Sequence, residues 1–133
     1  MNGFHHVAVQ VCDLEKATTF YTEVLGLAVV KRWAEADGSP RSVWLDVGAG
    51  AFVALEKGTP PSPEHDRPFH DGQPGWHLVA LAIPRADRQV WEERLQRAGV
   101  PVVHRTSYTL YLRDPDGNRV GLSHYPEPVP VPT

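Results

Sequence analysis

Apolar and polar residues alternate along His6-Val7-Ala8-Val9-Gln10-Val11. A period of two is the signature of a strand with one buried face. Val7, Val9 and Val11 therefore share one face, and His6, Ala8 and Gln10 share the other. The period then lengthens. Ala17, Phe20, Tyr21, Val24 and Leu25 recur at the spacing of a helix packed on a sheet. Asp13 stands where an N-cap belongs and Gly26 where a C-terminal stop belongs, which predicts a helix over 14–25. Shorter strands are expected over 28–33, 42–47 and 51–57. Gly48-Ala49-Gly50 supplies a hairpin turn between the last two.

The second half repeats this order. Residues 76–83 read as a strand that Pro84 ends, and 86–98 read as a helix with Val90, Trp91 and Leu95 inward and Gly99 as its stop. Strands follow over 100–104, 109–113 and 119–124. Asp114-Pro115-Asp116-Gly117-Asn118 forms the turn between the last two, each residue type at a position that a tight turn favours. Two helices among about eight strands indicate an α+β class rather than a doubly wound parallel sheet. The expected organisation is one domain over 1–133: a strand–helix–three-strand module over about 4–57, a proline-rich loop over 58–74, a second such module over about 75–125, and a tail over 126–133. Prolines at 126, 128, 130 and 132 cannot build a ladder, so the tail is expected to be extended and disordered.

A length of 133 residues suits one domain with a real core. The formal net charge is −3, which argues against a nucleic-acid or anionic-membrane surface. No apolar run approaches the roughly 20 residues of a bilayer span, and no secretory address is seen at the N-terminus. Cys12 is the one cysteine, so an intrachain disulfide and a thiolate cage are ruled out and a cytoplasmic, reducing location is expected.

Two segments resemble a known family. His6-Val7-Ala8-Val9, followed by Asp13-Leu14-Glu15-Lys16-Ala17, Phe20-Tyr21 and Leu25-Gly26-Leu27, looks like the opening of vicinal oxygen chelate proteins, the glyoxalase, bleomycin-resistance and extradiol dioxygenase group. Leu112-Arg113-Asp114-Pro115-Asp116-Gly117-Asn118-Arg119-Val120 looks like their closing hairpin. The resemblance implies two βαβββ modules whose curled mixed sheets enclose a cleft. In many members the cleft holds a divalent metal on His, Glu or Gln from the first and fourth strands of each module, and members of this length often form homodimers. Four tryptophans in a small chain suit such an interface.

A catalytic metal needs three or four converging side chains and an open position. The resemblance places His6 at the first ligand position. The fourth-strand position of the first module falls near Ala54, which cannot ligate, with Glu56 one rung further along the same face. His77 opens the second module, although alternation sets it with Val79, Leu81 and Ile83 unless a bulge turns it inward. The last position, where the family commonly has Glu, is Gly121. The candidate metal ligands are thus His6, His77 and Glu56, with the usual carboxylate missing.

The resemblance implies that the faces of His6, Ala54 and Gly121 line a ligand-binding cleft, and alternation adds Gln10, Phe52 and Ser123 to His6 there, with Ala8, Ala80 and Ala82 leaving room. Trp33, Trp44, Trp76 and Tyr111 are candidates for its border or for packing. His5 is expected to face the helix side or the start of the strand. His65 and His70, with Glu64, Asp66 and Asp71, lie in the proline-rich loop and read as surface. Cys12 has no activating histidine beside it in sequence and is not expected to be a nucleophile. Two readings stand. One is a protein that binds a small organic molecule without metal. The other is a divalent-metal-dependent enzyme acting on a small molecule with vicinal oxygens.

Overall fold

The computed structural model describes residues 1–59 and 76–130, and the chain divides into two compact units, Met1–Arg67 and Pro68–Thr133. The loop histidines His65 and His70, with Glu64, Asp66 and Asp71, lie outside the described residues. Each unit is an α+β arrangement of one helix and one open four-stranded mixed sheet.

Unit 1 contains β1 (His6–Val11), α1 (Leu14–Thr19), β2 (Val29–Ala34), β3 (Pro40–Gly48) and β4 (Ala51–Lys57), with sheet order β1-β4-β3-β2. β1 runs parallel to β4, and the other pairs are antiparallel. Val11, Val43, Leu45, Val53 and Leu55 bury one sheet face together with Leu14, Ala17, Phe20 and Leu25. That is the alternation read from the sequence, turned into a core. Asp13 caps α1 as expected, its carboxylate accepting from Lys16 N at 3.0 Å.

The helix does not stay α-helical to its end. Phe20–Val24 form a π turn, closed by Leu25 N donating to Phe20 O at 3.2 Å. Thr18 and Thr22 hydroxyls donate back to Leu14 O and Thr18 O at 2.6 and 2.7 Å, bonds of the kind that bend helices. The wider turn keeps Phe20 and Leu25, five residues apart, both buried.

Unit 2 contains β5 (Val79–Ala82), α2 (Arg88–Arg97, entered through a 3₁₀ turn at Arg85–Asp87), β6 (His104–Arg105), β7 (Thr109–Arg113) and β8 (Arg119–Ser123), in the order β5-β8-β7-β6. Here the sequence expectation was too generous at two strands. β5 begins at Val79, so Trp76 and His77 precede the ladder. β6 keeps two residues because Val100 N is taken by Leu95 O at the helix end and Pro101 has no N–H. The 114–118 turn is held as its composition suggested. Buried Asp114 accepts from Asp116 N, Asn118 N and Asn118 Nδ2, all at 2.8–2.9 Å.

The described part of the tail is docked through Val129. Val129 N donates to Ser107 O at 2.8 Å, and Arg85 Nε donates to Pro128 O at 2.8 Å. Buried His124 faces Arg88 Nη1 through Nε2 at 2.9 Å and Glu127 O through Nδ1 at 2.5 Å. Pro128 O thus accepts from a side chain at the start of the helix, while Val129 N donates to the turn before β7. Among the described residues no helix is long and apolar enough to cross a membrane.

Candidate functional site

The face of sheet 1 opposite its core carries the candidate residues. Register sets them in rungs: His6 beside Phe52 and Asp46, Ala8 beside Ala54 and Trp44, Gln10 beside Glu56 and Ser42. Each of the four strands contributes one aromatic ring, and the rings touch in series. The His6 imidazole lies flat on Phe52, with centroids 4.7 Å apart and planes 2° from parallel. Phe52 stacks on Trp44 at 4.4 Å and 21°, and Trp44 meets Trp33 at 5.4 Å and 60°. The Lys31 ammonium covers the outer end, 3.9 Å from the Trp33 ring centre. Trp33 and Trp44 are only partly buried, yet the indole nitrogens of both are sealed without an acceptor among the described residues. An unsatisfied buried donor of this kind costs about 1–3 kcal/mol.

The two ends of this face differ. At one end His5 turns onto the same cluster: its Nδ1 lies 2.7 Å from His6 Nδ1, and its ring meets Phe52 edge-on at 5.6 Å. Alternation did not anticipate this, because His5 precedes the ladder and is not bound by its period. At the other end Glu56 accepts from the hydroxyl of buried Ser42 at 2.9 Å. His6 and Gln10, placed together on this face by sequence, are two rungs apart, about 13 Å along the strand.

In unit 2 the corresponding face holds Ala80, Ala82, Gly121, Ser123, Thr109 and Tyr111 in register. Gly121 is buried, and a Cβ placed there would meet Leu78 Cδ1 at 3.0 Å and Thr109 Cγ2 at 3.2 Å. Apolar side chains thus crowd the position at which the family resemblance implies a carboxylate. Ser123 accepts from Thr109 Oγ1 at 2.9 Å. His77 is exposed, and its Nε2 lies 2.7 Å from Arg119 Nη1. Arginine only donates, so that imidazole lone pair is already engaged. Arg119 itself lies over Tyr111, 4.6 Å from the ring centre. Trp76, a candidate border residue, is 90% exposed. A separate concavity of about 530 Å³ runs between α2 and residues 99–105, lined by Gln89, Glu93 and Gln96, and shares no residue with the Gly121 face.

The donor set fits a family-type metal poorly. Gly121 offers no side chain and Ala54 cannot ligate, His77 Nε2 is engaged by Arg119, and Glu56 lies two rungs from His6, which leaves His6 Nε2 as the one open imidazole nitrogen of the first position. Among the described residues no three His, Cys, Asp or Glu side chains converge.

Comparison with known proteins agrees with this architecture. Residues 3–122 match the model of the Glyoxalase/Bleomycin resistance protein/Dioxygenase superfamily. MhqE of Bacillus subtilis, whose name places it among ring-cleaving dioxygenases, is 30% identical over 115 residues. The match covers 80% of this chain and 35% of MhqE, so the chain spans about a third of that relative's length. Glutathione transferase FosA of Serratia marcescens is 25% identical over 126 residues, covering 92% of this chain and 80% of FosA. Among solved structures, a glyoxalase/dioxygenase from Nostoc punctiforme superposes with a TM-score of 0.73 at 21% identity, covering 95% of this chain and 92% of that one.

Proposed function

Since this chain belongs to the Glyoxalase/Bleomycin resistance protein/Dioxygenase superfamily, we propose that it binds a planar, oxygen-bearing small molecule on the aromatic face of sheet 1 without needing a metal. The observation that carries this reading is the continuous ring series His6–Phe52–Trp44–Trp33 on the face of sheet 1 opposite its core. Stacked and tilted aromatic pairs contribute about 0.5–1.5 kcal/mol beyond the area they bury, so a planar guest gains most by extending the stack. Oxygen acceptors on the guest would also relieve the two sealed indole N–H groups once those side chains adjust.

In this reading His6 supplies a polar contact at one end, Gln10 and Glu56 bound the other, and Phe52, stacked between His6 and Trp44, lines the site with its ring edge. Ser123 belongs to the site if the two units form one domain and face each other around a shared cleft, an arrangement that is part of the proposal. So are a homodimer and a cytoplasmic location. Sedimentation at micromolar concentration should report about twice 14.8 kDa, and a monomer throughout would remove the dimer.

The probe for binding is 4-nitrocatechol, planar with two adjacent hydroxyls, which absorbs where tryptophan emits. Saturable quenching of the wild-type protein is expected. His6→Ala should weaken it about tenfold, the equivalent of one good hydrogen bond. Quenching that never saturates would sink the reading. The relatives carry the names of enzymes, a ring-cleaving dioxygenase and a glutathione transferase, which favours catalysis; the second reading is therefore a divalent-metal-dependent enzyme acting on vicinal oxygens. Stoichiometric metal in protein purified without chelator or histidine tag, lost in both His6→Ala and His77→Ala, would establish it instead.

A further inference from the structure

We infer that His5 is a positioning residue for His6, and that the two imidazoles share one proton between their Nδ1 atoms so that His6 presents a bare Nε2 to the ligand. This rests on the proposed function for what His6 touches, but not for the pair itself.

The geometry leaves two arrangements, and the chemistry of the guest selects between them. Two ring nitrogens 2.7 Å apart are within hydrogen-bonding distance, and only one hydrogen fits between them. One ring must donate and the other accept. The second nitrogen of His6 then takes the complementary state: if Nδ1 donates to His5, Nε2 carries a lone pair. A hydroxylated guest brings its own hydrogens, so an accepting Nε2 is the state that binds it. His5 thereby does for His6 what a carbonyl or carboxylate does for many functional histidines, fixing tautomer and ring plane through the other nitrogen. No partner of His6 Nε2 is seen among the described residues.

Packing supports the same role. His5 is edge-on to both His6 (5.0 Å, 71°) and Phe52 (5.6 Å, 69°), while His6 lies flat on Phe52. His5 therefore braces the stack from the side. Its carbonyl also accepts from Phe52 N at 3.2 Å, so the backbone that carries the brace is tied to the strand that carries the Phe52 ring. A histidine pair placed by adjacency alone would need none of these contacts.

The test is ¹⁵N NMR of the ring nitrogens in the full-length protein with histidine ring label. A through-hydrogen-bond coupling between His5 Nδ1 and His6 Nδ1 is expected, with the proton on Nδ1 of His6 and its Nε2 at the shift of an unprotonated nitrogen. In His5→Ala the coupling vanishes, and the His6 shifts move to those of two exchanging tautomers. His5→Gln, whose amide oxygen can accept the same proton, keeps His6 in one tautomer. Affinity for 4-nitrocatechol should fall about three- to tenfold in His5→Ala and recover in His5→Gln. No coupling in the wild type, or a His6 protonated on Nε2, overturns the inference. A coupling present in the wild type together with unchanged probe binding in His5→Ala overturns the positioning role. If 4-nitrocatechol does not bind the wild type, the proposed function falls, and the ring shifts of His6 in the His5 variants still decide the pair.

Discussion

Gly121 shows how one missing side chain reshapes a site. Its backbone is outside the left-handed region, so an added Cβ is refused by neighbours and not by φ. Those neighbours are Leu78 and Thr109, at 3.0 and 3.2 Å. Gly121→Ala should therefore destabilise the protein by about 1–2 kcal/mol, the overpacking cost outweighing the entropy that alanine saves in the unfolded chain. In a Leu78→Ala background the same change should be neutral or stabilising. Urea denaturation of the four proteins of the cycle checks this, and additivity within about 0.5 kcal/mol would show that Leu78 is not the obstacle. The lack of a carboxylate was legible in the sequence from the Asp-Pro-Asp-Gly-Asn turn onwards. The crowding was not, because Leu78 and Thr109 come from two distant segments that only the sheet register brings together. Alternation put His6 with Gln10 in one strand and Phe52 with Glu56 in another; the resemblance set those strands side by side, and the register pairs Gln10 with Glu56. The His5 contact escaped because nothing periodic governs a residue before the first rung.

Among the elements, the turn between β3 and β4 carries the clearest local strain. Gly48, Ala49 and Gly50 have φ of 94°, 53° and 79°, and Ala49 is the one residue with a side chain at positive φ among those described. A left-handed alanine costs about 1–2 kcal/mol, so Ala49→Gly should raise stability by about 0.5–1 kcal/mol after glycine's greater unfolded entropy is counted. Chemical denaturation monitored by tryptophan fluorescence would show the midpoint move upward; a downward shift would mean that the methyl group packs usefully. The sequence predicted this hairpin and both helices because glycine stops and an aspartate cap are local signals. It overextended the strands at 76–83 and 100–104 because strand ends depend on partners. Val100 N is taken by the helix end, and the β5–β8 register begins at Val79. The proline-rich end illustrates the same limit: composition forbids a ladder but says nothing about Arg85 and Ser107 holding Pro128 and Val129.

Across the whole molecule, the repeated order of strand, helix and three strands was legible throughout, since it needs only periodicity and punctuation. The division of labour between the halves was not. Unit 1 keeps a series of four touching rings, whereas the matching face of unit 2 carries Ala80, Ala82 and Gly121 beside the single ring pair His104–Tyr111. One topological feature common to both has a mechanical meaning. In each unit the first and last strands described are parallel neighbours, β1 with β4 over six register pairs and β5 with β8 over four. Stretching the chain by its two ends pulls such a pair in opposite directions along its length. The rungs of a pair are then loaded together in shear and do not unzip one by one. Single-molecule stretching should thus give two separate rupture events, each resisting well. The unit with four rungs should yield at the lower force, and a single gradual extension would show that these pairs do not act as clamps.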